Sequence, residues 1–331
     1  VALGTLISTF WITSANSWMQ TPAGYEIIDG VFHPADWWAV IFNPSFPYRL
    51  VHMVLAAFLT TCFVIGGVSA AYLLRGQHRD AATRMLKLSV AFGAIVVPLQ
   101  ILAGDMHGLN TLEHQPMKVA AMEGHWRAGE PGAGVPLVVF AIPNQEQERN
   151  DYELAIPRIA SLILTHSPDG EIAPLTSVPA DRRPPVAPVF FSFRIMVGIG
   201  TAMLMLVLLS AFAWWRGALF DPRRGRWLLQ GWRAMTLSGF VAILAGWYVT
   251  EIGRQPYIVY GVITVAETAA KHAPAMIGLT LTAYLALYIF LLISYVFVVK
   301  SLSEKPTRGQ APKLPVAPSP LPSGERARVR G

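Results

Sequence analysis

Long apolar stretches alternate with short polar ones along this chain. Full-length apolar runs occupy about 49–74, 86–104, 187–213, 228–250 and 273–299, and a further run opens the sequence from Val1 to about Met19. Each full run approaches the roughly 20 residues a helix needs to cross a bilayer. Backbone polar groups can be satisfied inside lipid only within helices or closed barrels. The pattern therefore predicts an all-α integral membrane protein. It is a transmembrane helix bundle of one truncated plus five full spans.

The opening run, VALGTLISTFWITSANSW, starts without a basic flank and is too long and aromatic for a signal peptide. It is read as the end of a spanning helix cut from a longer protein. The domain reading is then as follows. Residues 1–104 hold the truncated helix, an interfacial segment and two spans. Residues 105–186 form a polar loop, 187–300 hold three spans, and 301–331 form a Pro/Arg-rich tail expected to be disordered. Within the interfacial segment, Trp37 and Trp38 suit a headgroup-level aromatic belt.

Basic residues orient the bundle. Arg75, Arg79, Arg84 and Lys87 follow the second span, Arg216, Arg223, Arg224 and Arg226 follow the fourth, and the tail begins at Lys300. The positive-inside rule puts all three in the cytoplasm and the loop 105–186 outside. Composition agrees: 53% of the 331 residues are hydrophobic and 14% charged, against about a quarter charged in soluble domains. The net charge of +6 is explained by these loops, so no nucleic-acid partner is expected. The single cysteine, Cys62, excludes an internal disulfide and a Cys-x-x-Cys-His attachment, so any haem is held non-covalently.

Ionisable residues inside spans are functional candidates. His52, Arg194, Met196, Glu251 and Arg254 all fall near the outer ends of their spans. Each has a plain structural reading. His52 would be a hydrogen-bonded packing residue, Met196 a core methionine, Arg194 a residue reaching for headgroups, and Glu251 with Arg254 an ion pair at a helix end. The sharper reading is haem ligation, for which His with Met is a known axial pair. Bundles with paired histidines or a haem–copper centre need more intramembrane histidines than His52 alone. A transporter or channel with an intramembrane Glu/Arg site, or a haem-free anchor subunit, stand as alternatives.

The polar loop carries HQPMKVAAMEGHW. Pro116 suits a first helical turn. Lys118 and Glu123 are five apart, about 140° around a helix, and do not form a pair. Lys118 has no acidic neighbour at helical spacing, whereas Arg127 lies four residues beyond Glu123. Val119 and Met122 are expected to face the membrane. A lysine and a glutamate over an apolar surface suit an amphiphile with hydroxyl or carbonyl groups, such as a quinol.

Five segments together carry a resemblance: ALGTLISTFWITSANSWMQTP, VHMVLAAF, GDMHGLNTLEHQPMKVAAMEGHW, PVFFSFRIMVG and GWYVTEIGRQPYIVYGV. In this order they resemble subunit I of cytochrome bd-type quinol oxidases, especially the cyanide-insensitive-like branch, across about residues 1–300. The resemblance implies a respiratory enzyme of the bacterial inner membrane that oxidises quinol outside and reduces oxygen. It implies haem b (low-spin) on His52 and Met196 with Arg194 beside it, and haem b (high-spin) on Glu251. Trp247 and Arg254 match positions near or between the haems, and Asn16 matches a proton-path residue. Lys118 and Glu123 match the quinol-interacting pair of an external Q-loop opened by Asp105. A third haem, d or b, belongs to the intact protein, with a subunit II and a small accessory subunit as partners. Tyr257 stands where the family often has tryptophan, and the loop suggests the short Q-loop form. The family's first three spans are absent, so the fragment is expected not to turn over alone.

Overall fold

A computed structural model describes residues 2–130, 132–221, 223–269 and 272–303. It is mostly helical. Helix α1 (Ala2–Gln20) leads into a hairpin of β1 (Tyr25–Ile28) and β2 (Val31–Pro34), then the short α2 (Trp37–Ile41). Asp29 and Gly30 turn the hairpin with positive φ angles of 51° and 75°, the conformation that Asp-Gly favours between paired strands. Asp36 caps α2 by accepting from the Trp38 and Ala39 amides.

The long helices α3 (Phe46–Leu74) and α4 (Arg79–His114) follow. Next come α5 (Pro116–Glu123), the hairpin β3 (Leu137–Asn144) with β4 (Arg149–Ile156), and α6 (Ile159–Thr165). The helices α7 (Val186–Trp215), α8 (Arg226–Ala234) and α9 (Ser238–Ile252) precede a third hairpin, β5 (Tyr257–Val259) with β6 (Ile263–Thr264), and α10 (Val265–Thr268). All three hairpins are antiparallel and two-stranded. Residues up to Ala269 form one compact unit. A separate unit contains α11 (Pro274–Ser303), an apolar helix.

Among the described residues, five segments are long and apolar enough to cross a membrane: Trp37–Leu74, Arg79–His114, Ala180–Trp215, Arg226–Ile252 and Pro274–Ser301. These are the five full spans expected from hydropathy. Two differ in detail. The expected span 228–250 is helical throughout but tightens into one turn of 3-10 helix at Met235–Leu237. There Thr236 Oγ1 donates to the Arg233 carbonyl and Ser238 Oγ to that of Met235. Such local side-chain bonds compete with regular helix. The second difference is that α4 does not stop at residue 104. The segment DMHGLNTLEH is polar but compatible with a helix, so α4 continues to His114. Asp105 therefore lies within α4 rather than opening a loop. The expected disordered tail falls on residues 304–331, outside the described residues, apart from its first three positions, which end α11.

Between helices surrounded by lipid, apolar burial brings little hydrophobic gain, so close packing and polar contacts hold the bundle. Both are present. Phe63 of α3 stacks on Trp232 of α8 at 4.8 Å between ring centroids. The Trp232 indole Nε1 donates to Ser210 Oγ of α7 at 2.9 Å. Around them Leu86, Val90 and Val97 of α4 and Val207 of α7 are fully buried.

Candidate functional site

Helix α5 organises the site. Pro116 occupies its first turn, and Gly124, at φ 64°, ends it in the left-handed conformation. Its Val119 and Met122 are buried, packing with Val186 and Val189 of α7 and Val249 of α9. The expectation that they face the membrane is overturned. The helix is enclosed by protein because its small residues, Ala120 and Ala121, allow close approach.

Glu123 is also buried. Arg194 Nη2 donates to its Oε2 at 2.9 Å. The expected local pair with Arg127 does not form, because the helix ends at Gly124 and the four-residue spacing no longer places the side chains together. Arg194 does not reach for headgroups. Its Nε donates to the Val138 carbonyl of β3 at 2.8 Å, and its guanidinium lies 4.6 Å from the Phe190 ring centroid. One arginine thus joins α7, β3 and α5. Burial pushes the Glu123 carboxyl above its ordinary range, and the Arg194 charge opposes that rise.

Glu123 also borders an open cleft of about 390 Å³, with His125, Trp126, Val138, Asn150 and Glu153. Asn150 of β4 holds this wall together. It accepts from Trp126 Nε1 and donates to the Gly124 carbonyl, each at 2.9 Å.

Lys118 points elsewhere. It is 4% exposed, and its Nζ donates to Gln20 Oε1 at 2.6 Å and Gln115 Oε1 at 2.7 Å. Its partners are neutral amides, and Gln115, three residues before it, is a local partner that a search for acids passes over. Gln115 Nε2 in turn donates to the Gln20 carbonyl and to Gln20 Oε1. Burial drives the Lys118 ammonium well below its ordinary pKa, and the Arg49 and Arg254 charges add to the effect. The structure does not bring Lys118 and Glu123 into contact: α5 presents them to different neighbours.

A polar chain joins α1, α3 and α9. Arg49 donates to Asn16 Oδ1. Asn16 Nδ2 donates to Glu251 Oε1 at 2.9 Å, and Arg254 Nη2 donates to Glu251 Oε2 at 2.6 Å. The helix-end ion pair expected for Glu251 and Arg254 is formed. A carboxylate has about four lone-pair sites, so Glu251 keeps acceptor capacity. Arg254 Nε and Nη1 are buried without a hydrogen-bond partner. Arg49 was not among the candidate residues, although it is an arginine one helical turn before His52. Trp247 lies one turn before Glu251 and is half exposed. Asp105 is half-buried on α4 beside a shallow hollow lined also by Pro98 and Leu204.

His52 sits on α3 facing α4. Gln100 Nε2 lies 3.3 Å from both ring nitrogens, a long shared contact, and Gln100 Oε1 is buried without a partner. The His107 ring is 5.6 Å away. A side-chain carbon added at Gly104 would come within 3.1 Å of the His52 ring, and one added at Gly246 within 2.9 Å of Met196 Sδ. Both donor groups thus lie against backbone that lacks a side chain. Among the described residues no cluster of three or more His, Cys, Asp or Glu is present.

The family model for cytochrome bd terminal oxidase subunit I matches residues 1–307. Cytochrome bd ubiquinol oxidase subunit 1 of Bacillus subtilis (strain 168) is 32% identical, covering 97% of this chain and 70% of its own. Cytochrome bd-II ubiquinol oxidase subunit 1 of Escherichia coli (strain K12) is 28% identical over 94% of this chain and 74% of its own. The bd oxidase structure from Geobacillus thermodenitrificans superposes with a TM-score of 0.80 at 29% identity, covering 92% of this chain and 68% of that one. The chain belongs to the cytochrome bd terminal oxidase subunit I family.

Proposed function

We propose that α5 is the quinol-oxidising element of this subunit, that Glu123 takes up the quinol proton, and that the site lies on the extracytoplasmic side. As a family member the protein is a membrane subunit of a quinol oxidase, uses haem, and works with a second subunit in the bacterial inner membrane. The observation that carries the proposal is the Arg194–Glu123 ion pair. It ties the loop helix to α7 two residues before Met196.

Proton and electron leave a quinol together only if a base and an acceptor are close. Glu123 lines an open cleft, and a carboxylate whose pKa is raised by burial is a stronger base than an exposed one. Lys118 supplies positive charge for a quinol oxygen. His52 and Met196 would hold a low-spin b haem, and Glu251 a high-spin one. The residues fit that role: an imidazole and a thioether each border a glycine, and the unpartnered Arg254 nitrogens suit an anionic group such as a propionate. Bound haem supplies a one-electron acceptor. Arg194 of α7 holds the Glu123 carboxylate at the edge of the cleft. Asn16 holds one Glu251 oxygen and Arg254 the other, fixing the carboxylate plane.

The test is a reduced-minus-oxidised spectrum of membranes containing the subunit in its oxidase. His52→Ala and Met196→Leu should each abolish or shift the low-spin b signal. If both leave it intact, the ligand assignment is wrong. Lys118→Ala and Glu123→Ala should impair quinol oxidation with haem content near normal. Loss of all haem in those variants would instead make α5 a structural element.

A further inference from the structure

The Lys118 ammonium is held by two amide oxygens, Gln20 Oε1 at 2.6 Å and Gln115 Oε1 at 2.7 Å. Gln115 belongs to the same helix as Lys118, at its N-cap. Gln20 belongs to α1, 98 residues away in sequence, and is 1% exposed. Its amide oxygen is used fully. Oε1 accepts from both Lys118 and Gln115, while Nε2 faces the Thr250 carbonyl of α9 at 3.4 Å. The Gln20 backbone carbonyl also accepts from Gln115. Gln20 therefore fixes the lysine tip relative to both α1 and α9.

The chemistry of the clamp matters. An ammonium has three N–H donors and no acceptor. Two go to the amides, which leaves one for a ligand oxygen. A carboxylate in the place of Gln20 would neutralise the ammonium, whereas an amide orients it and leaves its charge uncancelled. The other charged groups acting on Lys118 are Arg49 of α3, Arg254 beyond α9 and Glu251 of α9. Gly253 also brings backbone against the lysine stem: a side-chain carbon there would lie 2.8 Å from Lys118 Cγ. The stem is thus confined from one side and the tip from another.

We infer that Gln20 is a positioning residue for quinol oxidation, holding the Lys118 ammonium with one free N–H for the quinol oxygen. This rests on the reading that Lys118 meets quinol. Gln20 acts through Lys118 and touches no substrate itself.

The experiment is a double-mutant cycle on the whole oxidase complex purified from membranes, using Gln20→Met, Lys118→Ala and both together. The probe is a short-chain benzoquinol or naphthoquinol, whichever the wild type oxidises faster. Hydrogen bonds to charged groups are worth enough that Gln20→Met should raise the quinol KM about tenfold. The kcat should change less, and the b-type haem spectrum should match wild type. Adding Gln20→Met to Lys118→Ala should raise KM no further. Independent, multiplying effects would overturn the inference, as would an unchanged KM. Should Gln20→Met lose haem, Gln20→Asn decides. It keeps the amide but is one carbon too short to reach Lys118. An unchanged KM there, with haem intact, defeats the inference. If Lys118→Ala itself leaves KM unaltered, the reading of Lys118 as a quinol residue fails instead.

Discussion

Arg194 donates from Nη2 to Glu123 Oε2 across 2.9 Å, joining the apolar helix α7 to α5. This pair sets the expected acid limb of the enzyme. Burial raises the Glu123 carboxyl pKa, and Arg194 lowers it again. A base must be ionised to accept a proton, so quinol kcat/KM should rise with pH through that pKa. Arg194→Gln removes the lowering charge. The carboxyl pKa then rises further, and the acid limb should move to higher pH. A kcat/KM profile in which the limb stays put would show that Arg194 does not set this base. Glu123→Gln should lower kcat/KM about 10²-fold or more, the usual worth of a general base.

Two glycines bordering the candidate haem ligands make a steric prediction. Gly246→Ala places a methyl within 2.9 Å of Met196 Sδ, and Gly104→Ala one within 3.1 Å of the His52 ring. Overpacking of this kind typically costs about 1–3 kcal/mol and moves side chains off their rotamers. Both variants should shift the b-haem absorption band or reduce haem content. Gly198→Ala on α7, where the added carbon meets nothing within 4 Å, should leave the spectrum unchanged. Equal spectra for all three would remove the argument that these glycines make room for a bound group.

The Phe63–Trp232 stack tests what holds the spans together. Trp232 is fully buried and bridges α3, α8 and, through Ser210, α7. Trp232→Ala should destabilise the subunit by about 3–5 kcal/mol. Ser210→Ala should cost about 1–3 kcal/mol, because it strands a buried indole N–H. Thermal denaturation of the detergent-solubilised complex measures both. A Trp232→Ala melting temperature equal to wild type would place the stabilising contacts elsewhere.

The spans were legible because hydropathy and helix length impose one pattern on the sequence. His52, Arg194, Glu251 and Arg254 were legible because an ionisable group within a span stands out. Gln20 and Gln100 did not stand out, since uncharged amides are invisible to that filter. Arg49 stands at the very start of a run, where a charged residue is unremarkable. The Glu123 partner was misread because a spacing rule was carried past the end of a helix. Gly124 was the available signal, being the residue that most often ends one. No local pattern announces Arg194 as its partner from 71 residues away. Helix α5 was itself readable from Pro116, but its burial between α7 and α9 follows from tertiary packing.

Lys118 and Glu123 both belong to α5, yet they meet different neighbours: Lys118 meets Gln20 and Gln115, and Glu123 meets Arg194. Five residues of helix separate them by about 140° and roughly 7.5 Å along the axis. Residues that share no partner contribute nearly independently, usually within about 0.5 kcal/mol of additivity. In Lys118→Ala combined with Glu123→Gln, the losses in quinol kcat/KM should therefore multiply. If the double variant is instead no worse than Glu123→Gln alone, the two side chains act as one unit on a single quinol oxygen. That would require α5 to rotate or unwind when quinol binds, because the helix as folded keeps the ammonium and the carboxylate on different sides.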